Sequence, residues 1–137
     1  MEADLPAEIR IREENDIVTA RNVVRQAATA LGFRLTDVTR IVTAASELAR
    51  NAFRHAGGGT MRWRRLDGAD SIGIELRFED KGPGIPDINQ ALQEGYTTVG
   101  GLGLGLPGSK RLMDQMEIRS EVGSGTVVTV TKWRRGG

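Results

Sequence analysis

Glu47 and Asn51 are the first residues whose types and spacing could support chemistry. They are four positions apart in a segment with helical periodicity, so both side chains would lie on one face of a helix. That face is turned roughly 100–140° from the centre of the apolar stripe, which keeps the pair off the core. An amide oxygen is a hard ligand suited to Mg²⁺, and a carboxylate can polarise a hydroxyl or a water. The alternative is an ordinary solvated helix face shared with Arg40, Arg50 and Arg54.

A second candidate site is the turn Asp80-Lys81-Gly82-Pro83-Gly84, which follows a predicted strand. A carboxylate at a strand end can accept a hydrogen bond from an exocyclic amine such as N6 of adenine. Because Gly82 and Gly84 have no side chains, a flat ring could lie against their backbone. The same residues also suit an ordinary surface turn, so the motif is ambiguous when it is taken alone.

The most distinctive stretch is the glycine-rich segment 100–108, GGLGLGLPG. Consecutive glycines that lead into a helix N-terminus offer unhindered amides and a positive dipole end, which together suit phosphate. Lys110, Arg111 or Arg54 could supply a cation to a terminal phosphate, and the sequence does not decide between them. Three leucines of this segment could line a pocket, meet a partner or join the core: Leu102, Leu104 and Leu106.

The same glycines also match a different motif. Gly103, Gly105 and Gly108 fit the G-x-G-x-x-G pattern of dinucleotide-binding folds, and Glu121 stands 18 residues after Gly103. A dinucleotide loop must follow a buried parallel strand, whereas residues 90–99 offer only a polar helix and a short polar run. NAD binding is therefore disfavoured. A P-loop is excluded because the pattern G-x-x-x-x-G-K-[ST] does not occur.

Composition limits the remaining classes of protein. The 137 residues fit one domain, predicted to span 1–137, that can bury a core of its own. Lys and Arg number 19 against 18 Asp and Glu, so no basic field favours nucleic acid. The chain has no cysteine and one histidine, His55, which leaves little for zinc or for a catalytic triad. It shows no signal peptide and no bilayer-spanning apolar run, so we expect a cytoplasmic protein without membrane contact.

Hydrophobic periodicity predicts the elements that would position these groups, in the order β-α-α-β-β-α-α-β-β. Consecutive hairpins imply a mixed or antiparallel sheet with helices on one face. The predicted fold class is therefore α+β, a two-layer sandwich. The predicted strands are Ala7–Arg12, Thr60–Leu66, Ser71–Phe78, Glu117–Val122 and Thr126–Trp133.

Capping residues predict where the four helices begin and end. The second of these helices contains the Glu47/Asn51 pair, and the fourth follows the glycine-rich segment. The first helix is predicted to have its cap at Asn15 or Asp16 and its stop at Gly32, and the second its cap at Thr36 or Asp37 and its end before Gly57. The third has its predicted cap at Asp87 and its end near Glu94, and the fourth starts at Pro107 and ends near Met116.

Taken in their order and spacing, these motifs resemble those of the Bergerat (GHKL) ATPase family. The resemblance extends over nearly the whole chain, and the family's mixed sheet with helices on one face agrees with the element order above. The matching positions are Glu47-x-x-x-Asn51 for the N box, Asp80-x-Gly82-x-Gly84 for the G1 box, Gly101-x-Gly103-x-Gly105 for the G2 box, and Gly123-Ser124-Gly125-Thr126 for the final G-x-G-T element.

Within that family the chain is most similar to the RsbT-type anti-sigma regulatory kinases. The similar runs are DIVTAR at 16–21, SELARN at 46–51, GGLGLGLPGSKRLMD at 100–114 and the ending at 128–133. Such kinases are small serine kinases that act on STAS-domain antagonist proteins in partner-switching and stressosome modules. The resemblance therefore implies a STAS-domain substrate, and a second regulatory partner, a phosphatase or similar protein, bound after release. The alternative is a nucleotide-dependent module that sequesters a partner such as a sigma factor.

The resemblance also implies ATP and Mg²⁺ as cofactors and assigns roles to residues. Asn51 would hold the metal, Asp80 would accept from adenine, and Glu47 would be the general base towards the acceptor serine. The glycine-rich segment 100–108 would form a lid, and its glycines would bind the phosphates. The remaining implied cofactor-binding positions are Gly82, Gly84, Gly101, Gly103, Gly105, Leu106 and Thr126.

Overall fold

The computed structural model of the chain describes residues 5–92 and 106–134. Within these ranges, no helix combines the length and the apolar character needed to cross a membrane. The element order confirms the predicted β-α-α-β-β-α-α-β-β arrangement. The elements are β1 Glu8–Ile11, α1 Glu14–Ala30, α2 Leu35–Ala56, β2 Gly59–Asp67, β3 Ile72–Asp80, α3 Ile88–Ala91, α4 Leu106–Leu112, β4 Gln115–Glu121 and β5 Gly125–Trp133.

The strands form one sheet in the order β1-β2-β3-β5-β4, and every neighbouring pair is antiparallel. Along β3 the side chains alternate, so Leu76 and Phe78 are buried while Arg77 is exposed. The pairing of β3 with β5 places Asp80 directly opposite Thr126. Two segments that are far apart in sequence therefore meet at one end of the sheet.

Helix α2 joins the two layers of the fold. Its buried positions recur every three or four residues, as the stripe Ile41, Ala45, Leu48 and Ala52 shows. This stripe packs on the sheet, and α1 packs beside α2. A fully buried Leu or Ile side chain contributes about 1.5–3 kcal/mol, and Ile41 is 0% exposed. The predicted α+β two-layer sandwich is confirmed.

The predicted N-terminal caps of α1 and α2 lie two or three residues too late along the chain. Helix α1 begins at Glu14 with Glu13 at the cap position, and Asp16 Oδ2 accepts the N–H groups of Arg12 at 2.8 Å and of Glu13 at 3.1 Å. Asp16 thus satisfies backbone donors from inside the first turn, where we expected it to be the cap itself. Helix α2 begins at Leu35, after Arg34, and not after the capping residues predicted from sequence, Thr36 or Asp37.

Helix α4 ends earlier than its predicted end near Met116. The last residue of the helix is Leu112, whose carbonyl oxygen accepts a hydrogen bond of 2.8 Å from Lys132 Nζ. Lys132 is buried and lies 3.9 Å from the carboxylates of both Asp37 and Asp114. The charged side chain of Lys132 on β5 therefore satisfies the last carbonyl of α4 and, through Asp37, links the end of this helix to the start of α2.

Candidate functional site

A pocket opens between the C-terminal half of α2 and one end of the sheet, where β3 and β5 meet. Its volume is about 580 Å³ when the open mouth is included. The lining is mostly apolar, with a few polar groups at defined positions, as such sites require. The apolar part consists of Leu48, Ala52, Ala56, Phe78, Pro83, Gly84, Ile85, Leu106 and Val128, and the polar part of Asn51, His55, Asp80 and Thr126.

Asp80 is the last residue of β3, whereas the sequence predicted that this strand ends at Phe78. Its Oδ1 accepts a hydrogen bond of 2.9 Å from the N–H of Gly82, which fixes the carboxylate against its own turn. A carboxylate has several acceptor positions, so Asp80 can keep this bond and still accept from a ligand, most directly with Oδ2. The carboxylate therefore enters the pocket as an oriented acceptor.

Two glycines of the Asp80 turn are required by contacts with other parts of the chain. A Cβ at Gly82 would lie 2.5 Å from the Cβ of Ala56, at the end of α2. Gly84 has φ +82°, and a Cβ there would lie 2.5 Å from the carbonyl oxygen of Glu121. The sequence analysis assigned these glycines to a flat ligand. The structure shows that they also let the turn approach α2 and the β4–β5 hairpin closely.

Gly125 brings the β4–β5 hairpin against the backbone of Asp80. Its φ is +118°, and a Cβ at this position would clash with the carbonyl oxygen of Asp80. The N–H of Gly123 also donates to the carbonyl oxygen of Pro83 at 2.9 Å. The Gly123-Ser124-Gly125-Thr126 element thus seats Thr126, which is buried and lines the pocket, beside Asp80.

Gly125 and Gly123 provide a matched pair of substitutions. Both have positive φ, at +118° and +86°, but a Cβ at Gly123 would have no heavy atom within 4 Å. We expect Gly123→Ala to cost about 1 kcal/mol of unfolding free energy from backbone strain alone. Gly125→Ala should cost about 3 kcal/mol or more, because strain and the clash with Asp80 act together. Urea unfolding measures both, and equal losses would contradict the close approach at Gly125.

Ser120, on β4, is a site residue that sequence reasoning missed. Its hydroxyl oxygen lies 2.7 Å from the N of Ile85, 3.1 Å from the carbonyl oxygen of Gly125 and 2.9 Å from Thr126 Oγ1. The hydroxyl thereby ties the Asp80 turn to β5 and to the pocket wall. The only sequence signal was strand alternation, which places Ser120 on the inner face of β4 with Met116 and Ile118.

Helix α2 presents Asn51 and His55 to the pocket, one turn apart. Glu47 lies one turn before Asn51 and is not among the residues that line the pocket in the described ranges. Its side chain is 43% exposed, and Oε1 lies 3.1 Å from Arg50 Nη1. The structure therefore brings Asn51 together with Asp80 and leaves Glu47 outside the pocket, on the adjacent turn.

The lid region is described only from Leu106 onwards. Leu106 is 1% exposed and lines the pocket. The candidate phosphate cations Arg54, Lys110 and Arg111 are exposed, and none of them lines the pocket in the part of the chain that the structure describes. The predicted lid glycines lie outside the described residues: Gly101, Gly103 and Gly105.

Burial lowers the pKa of His55 below its ordinary value of 6.5. The charge of Arg54 lowers this pKa further, while the Asp80 carboxylate raises it. A lowered pKa means that the folded protein holds this proton less tightly than the unfolded chain does. The neutral imidazole therefore contributes stability that is fully present above pH 6.5 and is lost as the pH falls through the folded-state pKa.

We expect His55→Gln to weaken the loss of stability on acidification. His55 is the only histidine of the chain, so no other imidazole contributes to the difference. Unfolding free energies from urea titrations at about pH 7 and about pH 5 should fall by more in the unsubstituted protein than in the variant. Parallel pH profiles for the two proteins would show that His55 has the same pKa folded and unfolded.

The two-layer fold and the pocket between its helix and sheet layers define an ATP-binding domain of the Bergerat type. The model of the protein family described as "Histidine kinase-like ATPase domain" matches residues 11–132 of the chain. The chain belongs to this family. Both the predicted family and the predicted fold are confirmed.

Curated relatives agree with this assignment. The chain is 46% identical over 127 residues to "Serine/threonine-protein kinase RsbT" of Bacillus subtilis, covering 93% of this chain and 96% of the relative. It is 34% identical over 122 residues to an "Anti-sigma F factor" of Caldanaerobacter subterraneus, covering 83% and 82%. These matches confirm the predicted class of enzyme, a kinase with an ATP-binding domain.

Solved structures share the fold at low sequence identity. The RsbU and RsbW domains of Rv1364c from Mycobacterium tuberculosis match at a TM-score of 0.60 and 22% identity, covering 96% of this chain and 34% of that one. The mycobacterial sensor histidine kinase MprB matches at a TM-score of 0.56 and 20% identity, covering 88% and 93%. At these identities the likeness supports the fold alone.

Proposed function

We propose that this chain transfers the γ-phosphoryl group of ATP to a serine of a STAS-domain protein partner and binds a second regulatory protein after release. The observation that supports this most directly is the pocket that joins Asn51, Asp80 and Thr126 between α2 and the sheet. The relative that is 46% identical over nearly the whole chain is itself named a serine/threonine-protein kinase. A cytoplasmic location and a single domain over 1–137 remain predictions that accompany this proposal.

In this proposal Asp80 Oδ2 accepts the exocyclic amine of adenine. Asp80 suits that role because Gly82 already holds Oδ1 and so fixes the direction of the second oxygen. Thr126 offers a further polar group at the same end of the pocket, and Gly84 and Leu106 form part of its wall. The lid glycines Gly101, Gly103 and Gly105 would contact the phosphates, as the resemblance implies.

We assign Mg²⁺ to Asn51. Among the residues that the structure describes, no group of three or more acidic or histidine side chains could hold a metal unaided. The amide oxygen of Asn51 is a single ligand, and this fits Mg²⁺, which proteins commonly bind through one or two oxygen ligands together with the substrate phosphates. The ion would neutralise charge on the transferring group, while Asn51 positions it from the pocket wall.

Glu47 is the proposed general base towards the acceptor serine. Its position one helical turn from Asn51 and its exposure of 43% support this role, since a hydroxyl arriving from solvent could reach the carboxylate. The nucleotide and the protein substrate would then approach α2 from two sides. Phosphoryl transfer asks mainly for such positioning and for charge neutralisation.

The alternative function is a nucleotide-dependent module that sequesters a partner such as a sigma factor. The relative named an anti-sigma F factor, 34% identical, is the observation in its favour. The two functions differ in one respect that can be measured directly. Sequestration needs a stable complex, whereas a kinase leaves a covalent phosphate on the partner after the two proteins separate.

The deciding experiment is incubation of the chain with γ-labelled ATP, Mg²⁺ and purified STAS-domain proteins. Label on a serine of one partner, absent when that serine is replaced by alanine, supports the kinase. A matched reaction with EDTA should show no label if the ion is required. Tight binding of a sigma factor with no label on any STAS-domain protein would favour sequestration and count against the proposal.

A further inference from the structure

The hydroxyl group of Ser120 has a hydrogen-bond arrangement that can be worked out by counting. A hydroxyl has one hydrogen to donate and two lone pairs to accept with. The backbone N–H of Ile85, 2.7 Å away, can only donate, and the carbonyl oxygen of Gly125, 3.1 Å away, can only accept. Ser120 therefore accepts from Ile85 and gives its single hydrogen to Gly125.

This assignment decides the direction of the third contact. Ser120 Oγ and Thr126 Oγ1 are 2.9 Å apart, a distance at which either oxygen could be the donor. Since Ser120 has no hydrogen left, the hydrogen of this bond comes from Thr126. The second lone pair of Ser120 accepts it, and all three contacts of the Ser120 hydroxyl are satisfied.

Thr126 is consequently an acceptor towards the pocket. Its hydroxyl hydrogen is held by Ser120, so only lone pairs remain for a ligand. Asp80, its partner across the β3–β5 ladder, also accepts, with Oδ2. Both polar groups at this end of the pocket therefore require a ligand that donates.

We propose that Ser120 is a positioning residue that sets the base specificity of the nucleotide site by holding the Thr126 hydroxyl as an acceptor. This inference rests on the proposed function, in which adenine lies at Asp80. A 6-aminopurine offers two N–H hydrogens to the two acceptors. A 6-oxopurine replaces that amine with an acceptor oxygen and keeps a single donor at this edge, its N1–H, so at least one of the two acceptors loses its partner, which carries a penalty.

The test compares ATP with inosine triphosphate, which differs from ATP in having a 6-oxo group and a hydrogen on N1. Dissociation constants are measured by calorimetry with Mg²⁺ for the unsubstituted protein, Ser120→Ala, Thr126→Val and the double variant. The unsubstituted protein should prefer ATP by about 100-fold or more. In Ser120→Ala the Thr126 hydroxyl can rotate and donate, so the preference should fall about tenfold, the effect of roughly one hydrogen bond.

The double variant tests whether Ser120 acts through Thr126. If it does, Ser120→Ala should change the preference in the unsubstituted background and leave it unchanged in the Thr126→Val background. If Ser120 had a purely structural role, its replacement would weaken the binding of ATP and of inosine triphosphate equally and leave the ratio of their dissociation constants unchanged. Should Ser120→Ala be too unstable to purify, Ser120→Cys, with its weak donor and acceptor, should give a smaller fall in the same direction.

The outcomes separate this inference from the function on which it rests. An unchanged ratio in Ser120→Ala, or additive effects in the double variant, would overturn the role of Ser120 while ATP binding stands. An unsubstituted protein that binds neither nucleotide, or both equally well, would overturn the proposed adenine site itself.

Discussion

Replacing Asp80 with asparagine is expected to lower the affinity for ATP by about 100-fold or more while leaving the fold intact. The N–H of Gly82 needs an acceptor at 2.9 Å, so the amide oxygen of the asparagine will turn towards it. The amide nitrogen, a donor, must then occupy the position of Oδ2. A donor would face the donating amine of adenine, which makes this isosteric change worse than the loss of one hydrogen bond.

Calorimetric titration with ATP and Mg²⁺ measures the effect of Asp80→Asn directly. Glu79→Gln is the matched control, since Glu79 precedes Asp80 on the same strand and its Oε1 lies 3.4 Å from Arg62 outside the pocket. We expect that variant to bind ATP as the unsubstituted protein does. Circular dichroism of both variants without nucleotide checks that the fold is kept. ATP binding by Asp80→Asn within about threefold of normal would remove Asp80 from the adenine site.

The sequence was sufficient to predict the elements of this fold because their signals are local. The stripe of α2 and the alternation of β3 follow directly from periods of 3.6 and 2 residues. The strand order β1-β2-β3-β5-β4 is harder to predict from sequence, since it depends on which strands pair although they are far apart along the chain. That pairing nevertheless decides the site, because it sets Asp80 opposite Thr126.

What the sequence could not supply are contacts between residues that are far apart along the chain. Ser120 meets Ile85 only after β4 has joined the sheet, and nothing in the residues around Ser120 indicates that partner. The contact of Lys132 on β5 with the last carbonyl of α4 is likewise long-range, and the predicted end of that helix, near Met116, was too late. Gly82 was selected as a position without a side chain facing a ligand, and nothing in the sequence indicated that a Cβ there would also lie 2.5 Å from the Cβ of Ala56.

The sequence therefore selected several residues that line one pocket, but it did not give the extent of that pocket. Asn51, Asp80, Thr126 and Leu106 come from four separate elements or turns, and the structure places all of them around one pocket. Glu47 was grouped with Asn51 by helical spacing alone, and in the part of the chain that the structure describes the pocket lining includes Asn51 and not Glu47. Helical spacing shows that two residues share a face, but it does not show how far a pocket extends along that face.

Replacing Glu47 with alanine is expected to leave ATP binding within about threefold of normal and to reduce phosphoryl transfer by about 10²–10⁴-fold, the usual contribution of a general base. Binding should survive because Glu47 does not line the pocket in the described ranges. Transfer should fail because the acceptor serine would have no carboxylate to take its proton. Glu47→Gln, which keeps the shape and removes the base, should show the same separation of the two effects.

The ion pair between Glu47 and Arg50 requires a control of its own, since Glu47→Ala removes this contact of 3.1 Å and Glu47→Gln removes its negative charge. The two side chains are 43% and 32% exposed, and ion pairs of this kind contribute at most about 1 kcal/mol. Arg50→Met removes the pair and keeps the carboxylate, so transfer should stay within a few-fold of normal. Single-turnover measurements with saturating ATP and a labelled partner separate chemistry from binding. Undiminished transfer in Glu47→Ala, or an equal loss in Arg50→Met, would show that the proton of the serine goes elsewhere.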